Sequence, residues 1–278
     1  MKKLKVLIPT DFSVQAEYAY LMVKRLEEKL PMEVHFLHIM NVPDTVSMDD
    51  NGHIQTCGEI DVRYVERQRD IAVRQMNSLT SQYGEEVTTH IRLGKTTEGI
   101  LDFSEKANVD LIVMGTKGAW GLKEKLSGTE TQMIARKSRI PVLSLMCDRS
   151  DLQIENVLLV HDFHKPEVLD LQLLKIVTEA FGCKLHFLQI ATGNLETQRE
   201  EFEFNAKNFA AMNGITNYER HLLKDTDVEN GVIHFNQMMN MDIICIGTHG
   251  KPRLLHHSAT EKLINHLFKP IISFHINS

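Results

Sequence analysis

Apolar and polar positions along the 278-residue chain alternate between two periods. Val6-Leu-Ile8, Val34–Ile39, Leu111–Met114 and Val142–Met146 are nearly continuous apolar runs, the pattern of strands covered on both faces. Between the first two, Ala16, Ala19, Tyr20, Val23 and Leu26 recur at spacings of three and four, one face of a helix with Ser13 at its N-cap position. A second helix is predicted from about Asp61 to Tyr83, with Val65, Ala72, Met76, Leu79 and Tyr83 as its stripe. Strands alternating with helices predict an α/β fold, a parallel sheet with helices on both faces. A ligand site in such a sheet lies at the carboxyl ends of the strands, where the strand order reverses. Here that means just after Ile8, Ile39 and Met114. Asn41 to Glu59 has no helical period and is expected to be an exposed loop.

The pattern repeats. Val6-Leu-Ile-Pro-Thr-Asp-Phe-Ser13 matches Val157-Leu-Leu-Val-His-Asp-Phe-His164, and Val34-His-Phe-Leu-His-Ile39 matches Leu185-His-Phe-Leu-Gln-Ile190. Asp110–Gly118 matches Asp242–Gly250, and Ile140–Leu145 matches Lys269–Phe274, in the same order. The chain reads as a tandem duplication, residues 1–148 and 152–278.

Composition narrows the function. Thirty-one basic against 37 acidic residues give a net charge of -6, which disfavours nucleic-acid binding. No apolar run reaches the roughly 18 residues of a membrane span, and the N-terminal apolar stretch breaks at Pro9, so no membrane insertion and a cytoplasmic location are expected. Cys57, Cys147, Cys183 and Cys245 show no metal-like spacing and are expected to be free buried thiols.

Candidate chemistry follows the third apolar run. Gly115-Thr-Lys-Gly118 is followed by nine residues and then Gly128-Thr129. Glycines lack the Cβ that would hold a phosphate away from backbone amides, and Ser127-Gly-Thr-Glu130 is a capping-box pattern at a helix start, where free N–H groups favour an anion. Lys117, Lys123 and Lys125 add positive charge. A glycine-rich turn that only connects strand to helix is the plainer alternative.

The G-x-x-G-(nine residues)-G-[S/T] spacing, together with Pro9-Thr-Asp-Phe-Ser13, resembles the universal stress protein family over the whole chain as two copies. The resemblance implies two Rossmann-like (adenine nucleotide alpha hydrolase-like) domains, each a five-stranded parallel sheet of order 3-2-1-4-5. It also implies an ATP or AMP site, with Mg2+ as an optional companion, serving a stress-response regulator. Carried over, Thr10 and Asp11 line the adenosine pocket and the backbone of Ile39 meets adenine. Gly115, Lys117, Gly118, Gly128, Thr129 and Thr131 surround ribose and phosphates. Glu130 departs from the pattern, placing a carboxylate where the family usually has an apolar residue. Family members commonly pair through their last strands, so the two copies are expected to pair within the chain. A further homodimer is left open.

The second copy keeps Gly247-Thr-His-Gly250, but eight residues then precede Ala259-Thr260, and His161 stands for Thr10. It reads as degenerate. No hydrolytic motif is present in the sequence, so slow ATP hydrolysis is the enzyme alternative. A metal or small-molecule module in the second copy is another, since ten of the fourteen histidines lie there, among them His161, His164, His249, His256 and His257. Zinc is the minor reading, for no helical H-x-x-x-H spacing appears. His35 and His38 point to opposite faces of one strand and cannot chelate together.

Overall fold

The computed structural model of the chain describes residues 3–49, 53–57, 60–84, 86–116, 130–163, 168–249 and 259–276. The first half runs β1 (Leu4–Pro9), α1 (Val14–Glu27), β2 (Met32–Met40), β3 (Val46–Met48), β4 (Ile54–Thr56), α2 (Val62–Tyr83), β5 (Thr88–Leu93), α3 (Thr96–Lys106), β6 (Leu111–Gly115), α4 (Glu130–Lys137) and β7 (Val142–Leu145). The second runs β8 (Asn156–Val160), α5 (Gln172–Phe181), β9 (Lys184–Ala191), α6 (Leu195–Met212), β10 (Tyr218–Lys224), α7 (Val228–Met239), β11 (Ile243–His249), α8 (Ala259–His266) and β12 (Ile271–Ile276).

Ten strands form one sheet in the order β10-β9-β8-β11-β12-β7-β6-β1-β2-β5. Each half is parallel with the expected 3-2-1-4-5 order, and the halves join where β7 meets β12 antiparallel, Leu143 opposite Ile272. Two serines at equivalent places seal this seam. Ser144 donates its hydroxyl to the Ile271 carbonyl, and Ser273 donates to that of Val142, both at 3.3 Å. Nearby, Gln132 and Glu261, also equivalent in the repeat, touch as the Gln132 amide donates to the Glu261 carbonyl. Arg136 reaches the buried Glu261 carboxylate at 3.3 Å. The pairing covers the two apolar last strands. The edges left open, β5 and β10, carry polar and charged residues, which discourage further strand addition.

Alternate strand residues feed two cores. Val6 and Ile8 pack with α1, α2, α5 and α6 on one face, while Leu7 packs with α3, α4, α7 and α8 on the other. Both cores contain residues of both halves, so the interior is continuous across the seam. The predicted α1 stripe of Ala16, Ala19, Tyr20, Val23 and Leu26 is buried throughout. Asp61 caps α2, accepting from the Arg63 N–H at 2.9 Å.

Two local expectations are corrected. The segment after β2 is not merely an exposed loop. Its β3–β4 hairpin buries Val46 and Ile54 against Val65 and Ala72 of α2. Three-residue strands are too short to show a period. Ser13 stands before α1 but makes no side-chain cap; instead the Ser13 N–H donates to Asp11 Oδ1 at 3.0 Å. Among the thiols, Cys183 and Cys245 are buried and Cys57 is exposed.

Candidate functional site

β1 pairs with β2 on one side and β6 on the other, so the strand order reverses there and the chain leaves the two strands in opposite directions. The register Val6–Leu111 and Leu7–Ile112 brings the end of β1 beside Gly115. Thr10 is buried at this point, its N–H donating to the Leu37 carbonyl at 2.8 Å. Its hydroxyl oxygen accepts from the Phe12 N–H at 2.9 Å, which closes a tight turn with Phe12 in the left-handed region (φ 62°). The turn leaves Asp11 exposed at the carboxyl end of the sheet. His38 braces it from β2, donating Nδ1–H to the Thr10 carbonyl at 2.8 Å, with its ring 4.6 Å from that of Phe12. Ile39 lies next on β2, buried, with Gly99 of α3 against its side chain.

Gly115 has a second reason to be glycine. A Cβ there would lie 2.1 Å from the backbone oxygen of Gln15, so the first turn of α1 rests directly on the end of β6. The Thr131 hydroxyl donates to the Gly115 carbonyl at 3.1 Å, tying α4 to the same strand end, and Thr260 does the same to Gly247 at 3.2 Å. Lys117, Gly118, Gly128 and Thr129 lie outside the described residues. Glu130, the first residue of α4, faces Thr96 and Asp11. Its carboxyl is pushed above the usual glutamate range by desolvation, opposed by the Thr96 hydrogen bond and reinforced by the charge of Asp11. Two acidic groups therefore share the mouth of this site.

The second half builds the same turn with different groups. His161 Nδ1 takes the place of the Thr10 hydroxyl, accepting from the Phe163 N–H at 2.9 Å, and Phe163 is again left-handed (φ 51°). Here, though, His161 stacks on Phe209 and Phe163 is fully buried among Phe187, Phe202 and Phe209. Among the described residues, the atoms nearest a Cβ at Gly247 are the side-chain ends of Ile276 and Phe274. Of the other histidines marked as a metal alternative, His164, His256 and His257 lie outside the described residues.

A model of the universal stress protein family matches residues 4–145, just over half of the chain. The chain belongs to the universal stress protein family. Two universal stress proteins of Methanocaldococcus jannaschii are similar to it. One is 30% identical over 149 residues, covering 50% of this chain and 92% of the relative. The other is 26% identical over 139 residues, covering 50% and 79%. The crystal structure of a universal stress protein from Archaeoglobus fulgidus has the same fold along the whole chain, with TM-score 0.72, 19% identity and 99% coverage of both chains. Among the described residues, no helix of this universal stress protein is long and apolar enough to cross a membrane.

Histidine pairs that the pattern of the chain did not single out sit at the outer strands of both halves. His35 Nδ1 and His90 Nε2 are 3.0 Å apart between β2 and β5, and His186 Nδ1 and His221 Nε2 are 3.0 Å apart between β9 and β10. Burial holds His90 below the usual histidine value, aided by His35, Arg92 and Lys5. Burial does the same to His186, aided by His221 and Lys184 and opposed by Glu219. It also lowers His221, where Glu219 opposes and Lys184 adds. In the unfolded chain these rings titrate near 6.5, so between the folded values and pH 6.5 the unfolded chain binds more protons. Acid therefore favours unfolding in that window, ahead of any loss from Glu33 and Glu219, whose carboxyls are held below the usual range chiefly by His35 and Lys184. The melting temperature is expected to fall as pH drops through about 6.5, and His90→Leu should flatten that slope. A melting temperature constant across this window would contradict it.

Proposed function

We propose that this universal stress protein binds one adenine nucleotide, ATP or AMP, in its first half and acts as a nucleotide-gated regulator. The observation that carries the reading is the placement of Thr10, Asp11 and Gly115 together at the point where the strand order reverses. The G-x-x-G-(nine residues)-G-T sequence departs from that point. Thr10 and Asp11 take the nucleoside, with the β2 end at Ile39 beside them. Gly118, Gly128, Thr129 and Lys117 supply amides, a hydroxyl and positive charge to the phosphates. Gly115 and Thr131 act on the ligand chiefly by fixing β6, α1 and α4 around it. Family membership supports the reading, as does the contrast with the second half, where aromatic rings crowd the equivalent turn. Ala259 and Thr260, which the sequence set against Gly128 and Thr129, stand at the places of Glu130 and Thr131, so the stretch from Gly250 to the helix is three residues shorter than that from Gly118.

The acidic mouth makes a specific demand. A triphosphate arriving beside Asp11 and Glu130 meets negative charge, and the raised carboxyl of Glu130 eases this only when it holds its proton. Glu130→Gln is therefore expected to tighten ATP binding by about fivefold, the equivalent of about 1 kcal/mol for one near-surface charge removed, with a smaller gain for AMP. Trp120, the only tryptophan, stands two residues past Gly118 and reports the titration. Its emission should change saturably with nucleotide, and Gly128→Val should abolish the change while the far-ultraviolet dichroism stays the same. Constant Trp120 emission with nucleotide bound by calorimetry would place the ligand elsewhere.

A further inference from the structure

The two histidine pairs differ in where the carboxylate stands. In the first half Glu33 lies on β2, and its oxygen meets His35 Nε2 at 2.7 Å, the nitrogen facing away from His90. In the second half the carboxylate sits on β10. Glu219 Oε2 lies 3.5 Å from His186 Nδ1 and 3.8 Å from His221 Nε2, on the side where the two rings converge. Thr88 occupies the matching place on β5, opposite His35 as Glu219 is opposite His186. The three potential ligand atoms of the second half are thus 3.0, 3.5 and 3.8 Å apart. A tetrahedral zinc ion with bonds of about 2.0–2.1 Å needs its ligands about 3.3–3.4 Å from one another. Among the described residues these are the only three groups so arranged.

The surroundings suit a metal ligand set. His186 is almost wholly buried, and its Nε2–H donates to Asn156 Oδ1 at 3.2 Å, which fixes the ring and leaves the Nδ1 lone pair facing His221. Phe235 of α7 packs on the His221 ring at 4.9 Å and holds it in place. Lys184 engages the other Glu219 oxygen, Oε1, and so presents Oε2 to the rings. Glu219 is half exposed, so the cluster opens to water on that side. Its residues lie near the starts of β8, β9 and β10, five to seven strands away from β1 and the proposed nucleotide site.

We propose that His186 Nδ1, His221 Nε2 and Glu219 Oε2 bind one divalent transition-metal ion of the zinc class, with water completing a four-coordinate sphere. The first half, which keeps the histidine pair but aims its carboxylate elsewhere, serves as an internal control. The test is calorimetric titration of the metal-stripped full chain with Zn2+, and with Co2+ for the visible bands of four-coordinate cobalt. One ion per chain is expected. Asn156→Ala should weaken Zn2+ binding about 10–100-fold, the usual effect of losing a ligand's hydrogen-bond partner. His221→Ala and Glu219→Gln should weaken it further, and His90→Ala should leave it unchanged. Glu219→Gln alters a half-exposed side chain and preserves its shape, so it decides the matter if His221→Ala fails to fold. Absence of saturable Zn2+ binding, binding that survives Glu219→Gln undiminished, or binding lost equally in His90→Ala would overturn the proposal.

Discussion

Gly115→Ala is expected to destabilise the chain by about 1–3 kcal/mol or more, well beyond the effect of Gly247→Ala at the equivalent place in the second half. The added Cβ at position 115 would lie 2.1 Å from the Gln15 oxygen and 2.4 Å from the Gln15 carbonyl carbon. Both are backbone atoms in the first turn of α1, and they move only if the helix shifts off the sheet. At position 247 the nearest atom, also at 2.1 Å, is Cδ1 of Ile276, which can rotate away. The same shift of α1 would disturb the Thr10–Phe12 turn that precedes it, so Gly115→Ala should also weaken nucleotide binding. Urea unfolding of the two variants checks the ranking. Equal losses, or a greater one for Gly247→Ala, would mean that α1 does not rest on Gly115.

The second large effect belongs to the seam. Leu143 is wholly buried opposite Ile272, and both belong to a core that also holds Val6 of β1 and Val157 of β8. Leu143→Ala should cost about 2–5 kcal/mol, the range for removing a buried leucine side chain and leaving a cavity. Because the core runs through the seam, the loss should appear as a downward shift of one unfolding transition shared by both halves. Two transitions, with only the earlier one shifted, would mean that β7 and β12 join halves that are energetically separate.

Much of this architecture was legible in the sequence because it rests on local signals. Continuous apolar runs marked the inner strands, the three-and-four spacing marked the buried face of α1, and Asp61 marked the start of α2. The repeat marked the two halves, while the 3-2-1-4-5 order and the pairing of the apolar last strands came from the family resemblance. What escaped depends on contacts between distant residues. Glycine spacing flagged Gly115 as a place for a phosphate, but the atoms filling its missing Cβ belong to Gln15, one hundred residues earlier. The β3–β4 hairpin was hidden because its strands are three residues long. The histidine pairs were hidden because His35 meets His90, and His186 meets His221, only through the register of parallel neighbours. A signal did exist: aligning the two copies superposes His35 on His186 and His90 on His221, a coincidence that a surface role does not require. The carboxylate that distinguishes the second pair moved from one strand to the next, and no single-strand pattern records that.

On the proposed function, the first half of this duplicated universal stress protein keeps a nucleotide site, while the second fills the equivalent turn with His161 and phenylalanine rings. Calorimetric titration of the intact chain with ATP and with AMP, alongside Gly128→Val, separates the two halves. One nucleotide per chain is expected, with binding lost in Gly128→Val. Two equivalent sites, or a single site that survives Gly128→Val, would contradict it.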